Sequence, residues 1–277
     1  MPTNPFPESL EKDALRRRDA ANLRVFRAQR GKGLTYCGLT SAEFLDVQIW
    51  RSLLASVCAI ENDESTRNDL HINWRRLKLG LPFNVIAGNI FEYLQSSDAP
   101  CYDLYNLDLY RGFAYSAKAN SSPCRDAIRA LAEKQRQDKG SFALISTFNV
   151  RDSGVEQYDS LLDEIRGCLK GLVGVDTNLK EHGRSHATKI KLCYTFACWH
   201  VARTHDFQIE FADPVLYNSG KTNLVHFYCE FKHRSQALPT PYADRDNLRN
   251  ISALPLRKMT GRISRVEMRP TQIVEPG

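Results

Sequence analysis

The chain of 277 residues lacks long apolar runs. Its longest, such as residues 52–60, fall far short of the roughly 20 residues a membrane-spanning helix requires. The sequence is therefore not that of an integral membrane protein. It opens Met-Pro-Thr-Asn-Pro with no apolar stretch behind it, so no secretory leader is expected. It has no Cys-x-x-Cys pair; the eight cysteines at 37, 58, 101, 124, 168, 193, 198 and 229 are scattered. That spacing suits neither a zinc ribbon nor a disulfide scaffold, so no metal site is expected. Reduced, mostly buried thiols in a cytoplasmic protein are the expectation. Cys37 lies in the first strand-to-helix turn, where a buried thiol is expected and a redox role stays open. No Gly-x-x-x-x-Gly-Lys-Ser/Thr occurs, which counts against a P-loop nucleotide hydrolase. No Gly-x-Ser-x-Gly occurs, which counts against an α/β-hydrolase.

What is present is an ordinary globular composition, 42% hydrophobic and 25% charged. Its net charge of +6 is unevenly placed. Residues 1–35 carry eight Lys/Arg against four Asp/Glu, and residues 232–277 carry nine against four. The middle of the chain is slightly acidic. Basic ends suggest attraction to phosphate, hence a nucleic-acid partner, although solvated termini have the same composition.

Residues 10–27 read as a basic helix with one apolar stripe, ended by Gly31-Lys-Gly33. From residue 34 a pattern repeats. Apolar strand-like runs at 34–38, 56–61, 83–89, 102–108 and 141–149 alternate with helical stretches at 42–54, 63–79, 90–94, 123–137 and 156–172. Such alternation predicts βαβ units, a mostly parallel sheet and helices on both faces. After a helix over 186–203, the runs 207–211 and 223–231 follow with no helix between them. They are expected to pair as an antiparallel hairpin. A strand at 263–268 is expected in an otherwise irregular tail. The division is a basic helical extension (1–33), an α/β domain (34–232) and a basic tail (233–277).

Ligands of such sheets bind outside the carboxyl ends of the strands. The residues there are the candidates. After the first strand come Gly38, Thr40 and Ser41, the two hydroxyls being candidate caps for the next helix. The second ends in Glu61-Asn62, an acid able to accept from ribose hydroxyls. The third ends in Gly88-Asn89, where an amide can meet a base edge or simply cap a helix. The fourth ends in Asp108, a carboxylate among apolar neighbours, followed by Tyr110 and Arg111. His182 with His186, and Cys193, Cys198, His200 and His205, do not share helical faces suited to a metal.

These features together resemble the class I S-adenosylmethionine-dependent methyltransferases. Ala-Ile-Glu61-Asn-Asp resembles that family's ribose-binding segment. Ile-Ala-Gly-Asn89-Ile-Phe resembles its adenine-contact segment, with Asn replacing Asp. Tyr-Asp-Leu-Tyr-Asn-Leu-Asp108 resembles its fourth-strand segment, and Val225-His-Phe-Tyr its closing antiparallel strand. The resemblance covers residues 34–232. It implies a Rossmann-like fold, S-adenosylmethionine as cofactor, and methyl transfer; the basic ends favour nucleic acid as the substrate, with a protein or small molecule left open. Gly38, Thr40, Ser41, Glu61, Asn62, Asn89 and Asp108 would hold the cofactor; Asp108, Tyr110 and Arg111 would serve catalysis. The first motif departs from the family: Tyr-Cys-Gly38-Leu-Thr-Ser-Ala-Glu43 has one glycine and lacks the acid before it. The alternative is a degenerate methyltransferase fold that binds nucleic acid or a partner subunit without catalysis.

Overall fold

The computed structural model describes residues 9–109, 113, 123–150, 185–220, 222–235 and 254–259. The elements are α1 (Leu10–Arg30), β1 (Leu34–Gly38), α2 (Leu45–Trp50), β2 (Leu54–Glu61), α3 (Glu64–Leu77), β3 (Phe83–Ala87), α4 (Ile90–Gln95) and β4 (Leu104–Asp108). They continue with α5 (Pro123–Gln137), β5 (Phe142–Asn149), α6 (His186–Thr204), β6 (Phe207–Phe211), β7 (Val215–Ser219), β8 (Thr222–His233) and β9 (Arg257–Lys258).

One sheet has the order β3-β2-β1-β4-β5-β8-β7-β9, with β6 also pairing β8. The first five strands run parallel, and β8 is antiparallel to β5. This is the mixed α/β architecture expected, with a mainly parallel sheet and antiparallel strands at its C-terminal end. The chain winds outward from β1 to β3, then returns to add β4 on the other side of β1. The gap between β1 and β4 is thus a topological switch point, where the carboxyl ends of the strands leave a crevice.

Alternation along the strands divides the core between two faces. Phe142, Leu144 and Phe148 of β5 pack with Cys37, Tyr105, Leu131, Tyr194 and Phe227. Ala143 and Ile145 of the same strand pack with Leu23, Phe26, Tyr36, Trp50, Val57 and Tyr228. The amphipathic spacing of α5 explains its seat, since Cys124, Ala127, Ile128, Leu131 and Ala132 are its buried side. The α1 stripe expected from sequence buries Leu15, Ala20, Leu23 and Phe26. Ser9 caps that helix by accepting from Lys12 N at 3.3 Å, and Gly31 (φ +66°) ends it in the left-handed region.

Two expectations need correction. The helix expected over 42–54 is helical only over Leu45–Trp50, followed by a 3-10 turn, and β2 starts at Leu54. Phe44 holds φ +53°, which no helix can pass through, so the helix begins after it. Between β6 and β8 lies a further strand, β7. Both β6 and β7 pair with β8 along successive stretches of its length. The short β9 pairs parallel with β7. The expected helix at 156–172 and strand at 263–268 lie outside the described residues.

Asp103 ties the amino ends of this arrangement together. Its carboxylate accepts from Thr35 N (3.0 Å), Thr35 Oγ1 (2.9 Å) and Arg30 Nη2 (2.8 Å), with Lys32 Nζ at 3.5 Å. Burial works to raise its pKa, but the hydrogen bonds from Thr35 and Arg30 prevail and hold it below the usual value. A depressed carboxylate stabilises the fold above its unfolded pKa, about 3.9. That contribution disappears as pH falls through the folded value. Asp103→Asn is therefore expected to lower the urea midpoint at pH 7. The gap from the parent should narrow towards pH 2 to 3; a gap independent of pH would contradict this reading.

Candidate active site

The sequence candidates from β1 to β4 all fall at the carboxyl edge of the sheet. Gly38 ends β1 beside Asn106 of β4, and Leu39 N donates to Asn106 O at 3.0 Å. A Cβ on Gly38 would run into the Asn106 carbonyl oxygen, so the switch point closes only with glycine there.

Thr40 and Ser41 lie in the turn that follows, but neither caps α2. Phe44 occupies the cap position and no side chain bonds the helix end. Ser41 instead uses its carbonyl, which accepts from Phe44 N at 2.9 Å. Phe44 keeps its strained backbone because its buried ring packs edge-on against the stacked pair Trp74 and Phe83, centroids 5.1 and 5.3 Å away. For a bulky residue such a conformation costs about 1–3 kcal/mol.

Sequence reasoning missed the residue around which this turn is built. Asp46, on α2, is buried, and its carboxylate accepts from Asn106 Nδ2 (2.9 Å) and Tyr36 Oη (3.3 Å), with Thr40 Oγ1 at 3.4 Å. Burial raises its pKa, opposed by the positive charge of Arg16 and reinforced by the charge of Asp108. Tyr36 occupies the place two residues before Gly38, where the first motif lacks its acid. Asp46 brings a carboxylate to that tyrosine from ten residues further on. In sequence it is one acid within a short amphipathic stretch, with nothing to distinguish it from a solvated one.

Glu61 ends β2 half-buried, and its Oε1 accepts from Asp63 N at 2.8 Å. Its carbonyl accepts from Gly88 N (3.2 Å) and Arg67 Nη1 (3.1 Å), which ties the ends of β2 and β3 together. Asn62 is exposed, and its carbonyl accepts from the same guanidinium at 2.7 Å. Asn89 is exposed and caps α4, Oδ1 accepting from Phe91 N at 2.8 Å. Gly88 has φ +149°, and a Cβ there would meet nothing within 4 Å.

Asp108, the last residue of β4, is exposed rather than buried as its apolar sequence neighbours suggested, because the strand ends on it at the sheet edge. It stands in register with Thr147 of β5. Tyr110 and Arg111 lie outside the described residues.

Next to Asp108 is a second group that sequence reasoning missed. Thr147 Oγ1 lies 3.1 Å from His226 Nδ1, and His226 Nε2 lies 3.0 Å from Asp19 Oδ2. All three are buried. Tyr217 is buried nearby, and its hydroxyl is raised well above its usual pKa by burial and by the nearby charge of Asp108. Carboxylate, imidazole and hydroxyl thus join α1, β8 and β5 in one chain.

No family model matches the chain, and no curated protein matches it. Solved structures do. An O-methyltransferase from Bacillus cereus in complex with SAH aligns at 10% identity and TM-score 0.46, over 83% of this chain and 84% of that one. The yhhF protein of Escherichia coli, described provisionally as a methyltransferase, aligns at 11% identity and TM-score 0.45, over 83% and 90%. Precorrin 8W decarboxylase from Methanobacterium thermoautotrophicum aligns at 11% identity and TM-score 0.40, over 82% and 94%.

Proposed function

We propose that the carboxyl edge of the sheet binds S-adenosylmethionine and that the protein is a methyltransferase. The observation that carries this reading is the set of polar strand ends gathered across the β1/β4 switch point: the 38–41 turn, Glu61, Asn89 and Asp108. The residues fit the cofactor. Glu61 has one oxygen engaged by Asp63 N, leaving its other oxygen as an acceptor for ribose hydroxyls. The backbone at Gly88 is open, so a flat base can lie against it. Asn89 spends its oxygen on the α4 cap and offers its amide N–H groups to an adenine edge.

When bound, S-adenosylmethionine supplies a methyl group activated by a sulfonium. The protein's task is then orientation and exclusion of water. The 38–41 turn would hold the methionine end, stiffened by Asp46 through Tyr36, Asn106 and Thr40. Asp108, exposed at the end of β4, would orient the acceptor and take its proton. We propose nucleic acid as the acceptor, on the strength of the net charge of +6 and its concentration at the two ends. Binding of a nucleic acid through those ends should weaken steeply as salt rises.

The hydrogen bonds among Asp46, Tyr36, Thr40 and Asn106 favour a second reading, since groups that satisfy one another leave less for a ligand. In that reading the fold is a non-catalytic module that holds nucleic acid or a partner subunit.

Calorimetric titration with S-adenosylmethionine and S-adenosylhomocysteine separates the two. Micromolar binding is expected, weakened tenfold or more by Glu61→Ala, about 1.4 kcal/mol. Asp108→Asn should lower turnover, because the carboxylate that orients the acceptor and takes its proton is gone. No heat and no thermal shift at millimolar cofactor would overturn methyl transfer in favour of the binding module.

A further inference from the structure

Below the carboxyl edge, the face of the sheet that meets α4 and α5 holds a pair of cysteines opposite each other. Cys37 of β1 and Cys58 of β2 are partners in the parallel register. Their side chains lie in the same core cluster. Neighbouring strands stand about 4.8 Å apart, inside the range of Cα separations that a disulfide spans. The Cys37 thiol and the hydroxyls of Tyr102 and Tyr93 are the polar groups around the Cys58 sulfur that draw its pKa down. Those hydroxyls lie 2.9 Å from each other, and both tyrosines are partly exposed, so the cluster reaches the surface through them. Tyr102 is held in place: its backbone N–H donates to Tyr105 Oη at 2.9 Å, and its carbonyl accepts from Gln135 Nε2 at 2.6 Å.

We propose that Cys58 and Cys37 form a dithiol site that reduces a hydroperoxide and closes to a disulfide. The Cys58 thiolate attacks the outer peroxide oxygen, the O–O bond breaks, and the alcohol leaves with a proton. Cys58 is then a sulfenic acid. The Cys37 thiol attacks its sulfur, the S–O bond breaks, and the oxygen leaves as water with the Cys37 proton. Two thiols and one hydroperoxide become one disulfide, one alcohol and one water.

The environment divides the roles. The neighbouring Cys37 thiol foremost, with the Tyr102 and Tyr93 hydroxyls, draws the Cys58 pKa down, while burial pushes the Cys37 thiol well up. Cys37 therefore stays protonated as the resolving partner. Cys101 is more exposed, yet burial of its thiol and the neighbouring Asp138 push it up to about 12. Exposure and reactivity run in opposite directions here, because the thiolate is the nucleophile.

The test is peptide mass spectrometry on the full chain after timed treatment with hydrogen peroxide. The expected result is loss of two hydrogens with a peptide linking Cys37 to Cys58, complete before Cys101 is modified. Cys37→Ser should leave a Cys58 sulfenic acid that dimedone traps. Tyr102→Phe, which removes one hydroxyl and keeps the ring, should slow the reaction about tenfold. The proposal is overturned if Cys101 or any other cysteine reacts first. It is equally overturned if Cys58 is untouched when free cysteine in the same solution has been consumed. Neither outcome depends on whether the protein binds S-adenosylmethionine.

Discussion

Gly38→Ala is expected to destabilise the protein by more than about 3 kcal/mol, seen as a large fall in the urea midpoint. The added methyl would meet backbone, not a movable side chain: the nearest atoms are the carbonyl oxygen, nitrogen and carbonyl carbon of Asn106. Backbone in the middle of a sheet can yield only by separating β1 from β4. Gly88→Ala is the control. Its φ of +149° suits glycine, but no atom lies within 4 Å of the added carbon. It should cost only about 1 kcal/mol. If the two substitutions cost the same, the close approach at the switch point is not what Gly38 provides.

His226→Ala is expected to cost about 3–5 kcal/mol, because it strands the Asp19 carboxylate in a buried site without its partner. Asp19 is 2% exposed, His226 6% and Thr147 4%. Water can replace the lost contact only by entering beneath α1. Asp19→Ala in the His226→Ala background should recover part of the loss, since no unpaired charge is then left. Denaturation of the four proteins in the cycle gives the coupling directly. Additive losses would mean that the two side chains do not depend on each other.

The five parallel strands and the helices over 63–79, 90–94 and 123–137 could be read from the sequence because each strand is a short apolar run and each helix has its own polar face. Helix ends were legible where one residue decides them, as at Gly31 and Asp63. The strand β7 was not, because Val215-Leu-Tyr-Asn-Ser runs straight into a turn at Gly220. Its strand character comes from pairing with β8. The exposed polar strand ends, Glu61 and Asn89 above all, were visible because the βα alternation says where they fall. The buried polar groups were not. Asp46 looks like any helical acid, and His226 sits in an apolar strand with no local mark of its partners. Their roles are set by residues 60 and 207 positions away. Asp108 went the other way, since its apolar neighbours describe the strand and not the strand's last residue.

That separation of 207 residues also bears on how the protein is made. A ribosome adds about 5–20 residues per second. Asp19 therefore leaves the ribosome tens of seconds or less before its histidine exists. Through that interval α1 can lay Leu23 and Phe26 on the early strands β1 and β2, but its carboxylate has no partner to be buried with. The β5–β8 ladder is delayed likewise, because residues 142–149 wait for residues 224–231. A nascent chain halted before β8 would carry an exposed edge on β5 and a half-docked first helix. Completion of β8 closes both at once, so docking of the amino-terminal helix is completed late in synthesis although its first contacts form early.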